Sequence, residues 1–211
     1  MKIIFYAAGM TGSGHVVKGI SIANALRRKS IDCNYIILHD SNFSSLIKIS
    51  DINQLIIDIE DETKLSKENY HSSELYNTLI SLNPDILIVD LFWFMFNSFI
   101  EELNCKKIFL CRQIADSIFS MHLESGTISF KPEKYDRVLA IEPFESKIKM
   151  NRINPIIIRN RKVFIQREKC HINYVILDLE ILKQENILYY LTTTFRGQQV
   201  QLQKYTKNDD K

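Results

Sequence analysis

The stretch "KIIFYAAGMTGSGHVVKGISIANALRR", residues 2–28, decides the fold. Its first third, Ile3, Ile4, Phe5 and Tyr6, is a continuous apolar run with no polar alternation. Such a run is the mark of a strand covered on both faces, as in a parallel sheet. Glycines then stand at positions 9, 12, 14 and 19, and they break the run into a turn. Past the turn, Val16, Ile20, Ala23 and Leu26 recur at helical spacing over residues 15–29. Arg27, Arg28 and Lys29 close that segment, where the negative end of a helix favours cations. The order is strand, glycine loop, helix.

The same grammar repeats along the chain. Apolar runs at 33–38, 54–59, 85–90, 107–111, 137–141 and 155–158 read as further strands. Residues 64–82 predict a second helix, ended by Asn83-Pro84, and residues 92–103 predict a third, strongly apolar one. Alternating strands and helices give right-handed crossovers and an α/β doubly wound, mainly parallel sheet of the Rossmann-like kind. Ligands in that architecture sit beyond the carboxyl ends of the strands. Residues 8–15, 39–44, 90–94, 112–118 and 142–146 are therefore the places to look for chemistry.

Composition narrows the class. The 211 residues are 45% hydrophobic and 25% charged, a globular balance for one domain or a domain with an extension. A net charge of +2 is too mild to point to nucleic acid, and no nucleic-acid partner is expected. The chain opens with no signal-peptide pattern. The apolar run at 91–100 is interrupted by Asn97 and Ser98 and is too short for a membrane span. A cytoplasmic protein is the expectation, with the inner face of the membrane as a place for peripheral contact. Cys33, Cys105, Cys111 and Cys170 are widely spaced and read as reduced thiols, and the five histidines form no metal-binding pair. No metal and no bound cofactor are expected.

The glycine loop is G-x-x-G-x-G at Gly9, Gly12 and Gly14. This is neither the dinucleotide fingerprint nor a P-loop, which disfavours a dehydrogenase-like or ATP-binding protein. Asp40, after the second strand, is a weak candidate for a ribose contact. Ser13 is placed to cap the helix, leaving amides for an anion or a sugar hydroxyl; a compact strand-to-helix corner is the other reading. His15 stands on the first helical turn, where the positive dipole end favours a neutral imidazole. A neutral ring can take a proton from an attacking hydroxyl, or it can simply hydrogen-bond the loop.

At this point a family resemblance enters. Residues 1–38 resemble the opening of a GT-B glycosyltransferase, and more narrowly glycosyltransferase family 28, the group of the lipid-linked N-acetylglucosaminyl transferases. The shared pattern is a strand running into a Gly-rich loop that ends in Gly-His, then a helix with small residues. "NPDILIVDLFWF" (83–94), "KKIFLCRQIADSIF" (106–119) and "YDRVLAIEPFE" (135–145) resemble later strands of the same half. The resemblance covers residues 1–165 and implies the acceptor-binding, N-terminal half of such an enzyme. It implies that Gly12, Ser13, Gly14 and His15 face the cleft, with His15 as catalytic base. It also implies that Asp90, Arg112 and Glu142, at strand ends, border the acceptor site. Helix capping for Asp90, a solvated charge for Arg112 and a turn-edge role for Glu142 stay open.

Residues 166–211 are expected to be a linker and a truncated or atypical segment. They hold one glycine, Gly197, and none of the Gly-rich turns of a donor domain. Residues 187–194 and 198–203 read as strands around Gly197. Between Lys147 and Lys169 lie eight cations against Glu168, suited to a pyrophosphate-linked acceptor, an anionic membrane face or a partner. The expectation is thus an acceptor half that takes a saccharide or lipid-linked acceptor. It uses a nucleotide-sugar donor only with a second, donor-domain protein and is inactive alone. The alternatives are a non-catalytic remnant and a saccharide-binding module.

Overall fold

The protein is seen in a computed structural model, which describes residues 1–9, 13–60, 63–123, 126–153 and 156. Strand β1, Lys2–Ala7, is an interior strand of a sheet that has seven strands among the described residues. Every residue of β1 after Lys2 is buried, as a strand covered on both faces requires. β2 (Asn34–His39) pairs with it in parallel on one side, and β3 (Asn53–Ile56) lies beyond. On the other side come β4 (Ile86–Asp90), β5 (Lys106–Cys111), β8 (Arg137–Ala140) and the two-residue β9 (Asn151–Arg152), all parallel. The order β3-β2-β1-β4-β5-β8-β9 is the doubly wound sheet expected from the alternating runs. A separate antiparallel pair, β6 (Ser120–Leu123) and β7 (Gly126–Ser129), was not foreseen, because two four-residue strands carry too little periodicity.

Helix α1, Gly14–Arg28, covers one face and buries Val16, Ile20 and Ala23 against Phe5 and Ile37. Gly19 sets how close it comes. A Cβ there would lie 2.8 Å from the Phe5 ring and 3.1 Å from the Ile37 methyl end. The Tyr35 hydroxyl donates to the Gly19 carbonyl at 3.0 Å, so strand and helix are locked together. Arg27 donates to the Ser50 and Asp51 carbonyls, tying the C-terminal end of α1 to the turn after a short helix α2, Ser44–Ile49. Six residues are too few for a helical stripe, so α2 was not anticipated either.

The opposite face is covered by α3, Glu74–Leu82, which seats Leu75 and Leu79 on Ile4, Leu38 and Leu87. Each such side chain, fully buried, contributes about 1.5–3 kcal/mol. The helix predicted over 64–82 therefore starts ten residues late. Residues 64–69 form turns and Tyr70–Ser72 a 3-10 turn instead, because the segment is mostly polar and carries no apolar stripe. The start is well defined: Ser73 accepts from the Tyr76 amide at 3.0 Å, and the buried Glu60 carboxylate accepts from the Glu74 and Leu75 amides at 2.7 and 3.0 Å. Asn83, left-handed at φ 44°, ends it.

The helix predicted over 92–103 is absent. Two 3-10 turns, Trp93–Phe96 and Ile100–Glu102, take its place. Aromatic residues, Asn and Ser are poor helix formers. Here Trp93, Met95, Phe96, Phe99, Ile100 and Leu103 are all buried. The expected core role of this run holds. Of the strand predicted at 155–158 only Ile156 is described, and it is not in a strand; the last strand among the described residues is β9. The domain boundary at 165/166, the strands read at 187–194 and 198–203, and the cations beyond Arg152 lie outside the described residues. No helix among the described residues is long and apolar enough to cross a membrane.

Candidate functional site

In this sheet the chain winds outward from β1 through β2 to β3, and outward from β4 through β5 to β8. The reversal falls between β1 and β4, the place where sheets of this kind hold a crevice beyond the strands' carboxyl ends. β1 delivers the glycine loop and the first turn of α1 to that crevice. β4 delivers Asp90, its last residue.

The two meet. His15 Nδ1 lies 2.7 Å from Asp90 Oδ2, and the residues are 3% and 0% exposed. Lys18, one turn further along α1, donates to the other carboxylate oxygen at 2.5 Å and is 11% exposed. Burial by itself raises the Asp90 carboxyl; the His15 hydrogen bond and the Lys18 charge outweigh it and leave the group below the ordinary carboxylate range. An ionised carboxylate only accepts, so the His15 proton toward it sits on Nδ1. A neutral ring held in this way would carry its lone pair on Nε2. Asp90 therefore does not cap a helix, the bland reading for it. It orients an imidazole.

The backbone after Asp90 is strained in a way that serves this contact. Leu91 has φ 70°, and the Phe92 amide donates back to the Asp90 carbonyl at 2.9 Å, a tight positive-φ γ-turn. Phe92, at φ −81° and ψ 61°, makes a second, inverse γ-turn, with the Trp93 amide on the Leu91 carbonyl at 2.9 Å. The two turns bring the Phe92 ring edge-on to His15, centroids 5.1 Å apart. A non-glycine residue in this region costs about 1–3 kcal/mol and persists only where its surroundings hold it.

The glycine loop divides by cause. Gly9 is a packing glycine: a Cβ would meet the Asp40 carbonyl and Ser41 Cα at 2.6 Å, and its amide donates to the Asp40 carboxylate. Asp40 thereby ties the loop after β1 to the loop after β2 through one carboxylate oxygen. Gly14 has nothing within 4 Å of a Cβ position among the described residues, so no packing there demands glycine. Gly12 lies outside the described residues. Ser13 is buried and makes no side-chain cap bond, contrary to the capping expected of it; its backbone already has helical angles, and its carbonyl accepts from the Val17 amide at 2.9 Å.

Arg112 and Glu142 stand on the neighbouring strand ends rather than in the cluster. Arg112 directly follows β5 and is half-buried, and its carbonyl accepts from the Cys111 thiol at 3.3 Å. Glu142 accepts from the Gln113 amide at 2.8 Å and so ties the end of β5 to the loop after β8. Between them the Cys111 thiol is pushed up to about 12, chiefly by burial, which leaves it inert. Among the described residues no cluster of His, Cys, Asp and Glu is arranged to hold a metal. A cavity of about 320 Å³ beside β8 is lined by Phe144, Ile148, Lys149 and Arg152 and includes none of the His15 cluster.

Sequence reading missed Lys18 and the pairing of His15 with Asp90. A lone lysine within the apolar run of α1 was the available signal for the first. It also passed over His39, which is wholly buried: its Nδ1 accepts from the Ser41 amide at 3.1 Å, and its Nε2 donates to Gln54 at 3.0 Å. Both His39 nitrogens are spent on the fold.

No protein-family model and no curated protein matches the chain. Solved structures similar to it include a glycosyltransferase from Rickettsia africae, at 14% identity and TM-score 0.44, covering 66% of this chain and 36% of that one. MurG from Acinetobacter baumannii is similar at 12% identity and TM-score 0.47, covering 73% and 45%. The glycosyltransferase VinC, solved with dTDP, is similar at 13% identity and TM-score 0.47, covering 72% and 52%. The chain thus matches about half or less of each of these glycosyltransferases.

Proposed function

We propose that this chain is the acceptor-binding half of a GT-B-type glycosyltransferase in which His15, oriented by Asp90, is the catalytic base. The observation that carries the reading is the buried 2.7 Å contact between His15 Nδ1 and Asp90 at the switch point of the sheet. A histidine whose Nδ1 proton is held by a carboxylate presents a basic Nε2 in a fixed direction. The substrate class comes from the Gly-His loop and the three later motifs by which the sequence resembles this family.

The reaction would run in one displacement. An acceptor hydroxyl of a saccharide or lipid-linked saccharide attacks the anomeric carbon of a nucleotide-sugar. Its proton passes to His15 Nε2, the new C–O bond forms, and the bond to the diphosphate breaks, with the electron pair leaving on the nucleotide. Arg112, beside the crevice, is suited to the anionic part of the acceptor or to developing phosphate charge. A donor-binding domain has to bring the nucleotide-sugar, and a donor-domain protein is the proposed partner.

The test is to tag the full chain in its native host, recover it with whatever binds it, and assay transfer from labelled nucleotide-sugars. The reading expects a donor-domain protein in the complex and a loss of about 10²–10⁴-fold in transfer for His15→Gln. Equal transfer by His15→Gln would remove the base. Saccharide binding with no donor-domain protein and no transfer would make the chain a saccharide-binding module instead.

A further inference from the structure

We propose that Lys18 is a positioning residue of this site: by neutralising Asp90 it keeps the His15 ring uncharged and therefore able to accept a proton. The inference rests on the reading of His15 as a base and deepens it.

The geometry divides the carboxylate between two donors. Asp90 Oδ2 takes His15 at 2.7 Å, and Oδ1 takes Lys18 at 2.5 Å. His15 and Lys18 are three residues apart on α1, so they lie on one face and descend on the same group. All three are nearly shut off from water, where charges interact strongly and an unpaired charge is costly.

Charge counting gives the consequence. With Lys18 present, Lys18⁺, Asp90⁻ and a neutral His15 sum to zero, and protonating His15 would leave a buried net cation. Without Lys18, the carboxylate and a neutral His15 sum to one negative charge, and protonating His15 would neutralise it. A lone Asp90 would therefore pull a second proton onto the ring and spoil it as a base. Lys18 removes that pull while leaving Asp90 able to orient Nδ1. The first turn of α1 acts in the same direction, since its positive end disfavours an imidazolium.

The other charged groups around the cluster do not replace this lysine. On β5 the Cys111 thiol is protonated, and its surroundings include Lys18, Asp90, Glu142 and Arg112. Glu142 and Arg112 are of opposite sign, and Glu142 is bonded to the Gln113 amide. On β2, burial, with the Asp90 charge second, holds Tyr35 in its neutral form. Lys18 is the cation in contact with the Asp90 carboxylate among the described residues.

The experiment reads the His15 ring in the full chain by nitrogen NMR with labelled histidine, assigned by the signal lost in His15→Gln. It needs no substrate. The variants are Lys18→Gln, which keeps a hydrogen-bond donor and drops the charge, Lys18→Met, and Lys18→Arg. At a given pH near 7, the ratio of charged to neutral ring is expected to rise at least about tenfold in Lys18→Gln and Lys18→Met. It is expected to stay within about twofold of wild type in Lys18→Arg. A ratio unchanged in the two neutral variants would overturn the proposal. So would failure of both neutral variants to fold while Lys18→Arg folds, which would make the pair a structural ion pair. A ring that responds to Lys18 in a chain that transfers no sugar would refute the activity and leave the charge role of Lys18 standing.

Discussion

Asp90 and Glu60 are both buried carboxylates, and they are satisfied in opposite ways. Glu60 spends its two oxygens on backbone amides at the start of α3. Asp90 spends its two on ionisable side chains from α1. Amides at a helix start neither gain nor lose protons, so Glu60 fastens one element to another and does nothing more. Histidine and lysine carry protons, so the arrangement around Asp90 has a state that can change. The difference sets a carboxylate that fastens two elements apart from one paired with groups that can exchange protons.

Substitution separates the two most sharply at Asp90. Asp90→Asn leaves Lys18 buried without its counter-charge, and a loss of about 3–5 kcal/mol is expected in denaturant melts near neutral pH. Acid sharpens the same contrast. The Asp90 carboxyl is lowered in the fold, so its contribution is complete above the unfolded value of about 4 and disappears as the pH falls through the folded value below it. Wild-type stability should decline over that acid window, and the Asp90→Asn profile should lack that part of the decline.

Glu60→Ala should cost less, about 1–3 kcal/mol, because the freed Glu74 and Leu75 amides lie at a helix start, where Ser73 still caps the Tyr76 amide. A loss as large as that of Asp90→Asn would break the comparison. Gly19→Ala approaches the site from behind. Its methyl would meet the Phe5 ring at 2.8 Å and lift α1, at a cost of about 1–3 kcal/mol in thermal melts.

The smallest effect concerns the turn that holds Asp90. Leu91→Gly and Leu91→Ala both lose the buried side chain, but only glycine is at ease at φ 70°. Leu91→Gly should be the more stable of the two by about 1 kcal/mol, the reverse of the usual order inside regular elements. The usual order in paired melts would show that the turn is unstrained.

The strands were legible because a parallel sheet buries both faces. Runs such as Ile3 to Ala7 and Ile86 to Val89 are then apolar without interruption. Helix α1 was legible because it has one wet face and one dry face. The segment after β4 was misread as a helix because its apolar residues are buried along nearly its whole length, so their spacing does not mark one helical face. His15 stood out by its place after a glycine loop. Its partner did not, since Asp90 lies 75 residues away.

What the residues determine by themselves is local: apolar runs that must be buried, glycines that break them, and a helix whose stripe faces β1. The site was decided by tertiary structure alone. Only the adjacency of β1 and β4 brings Asp90 under the first turn of α1, and only that burial makes one carboxylate serve both His15 and Lys18. Sequence patterns record which face of each element is dry. The meeting of two strand ends depends on the order in which the sheet is wound, and no single element carries that order.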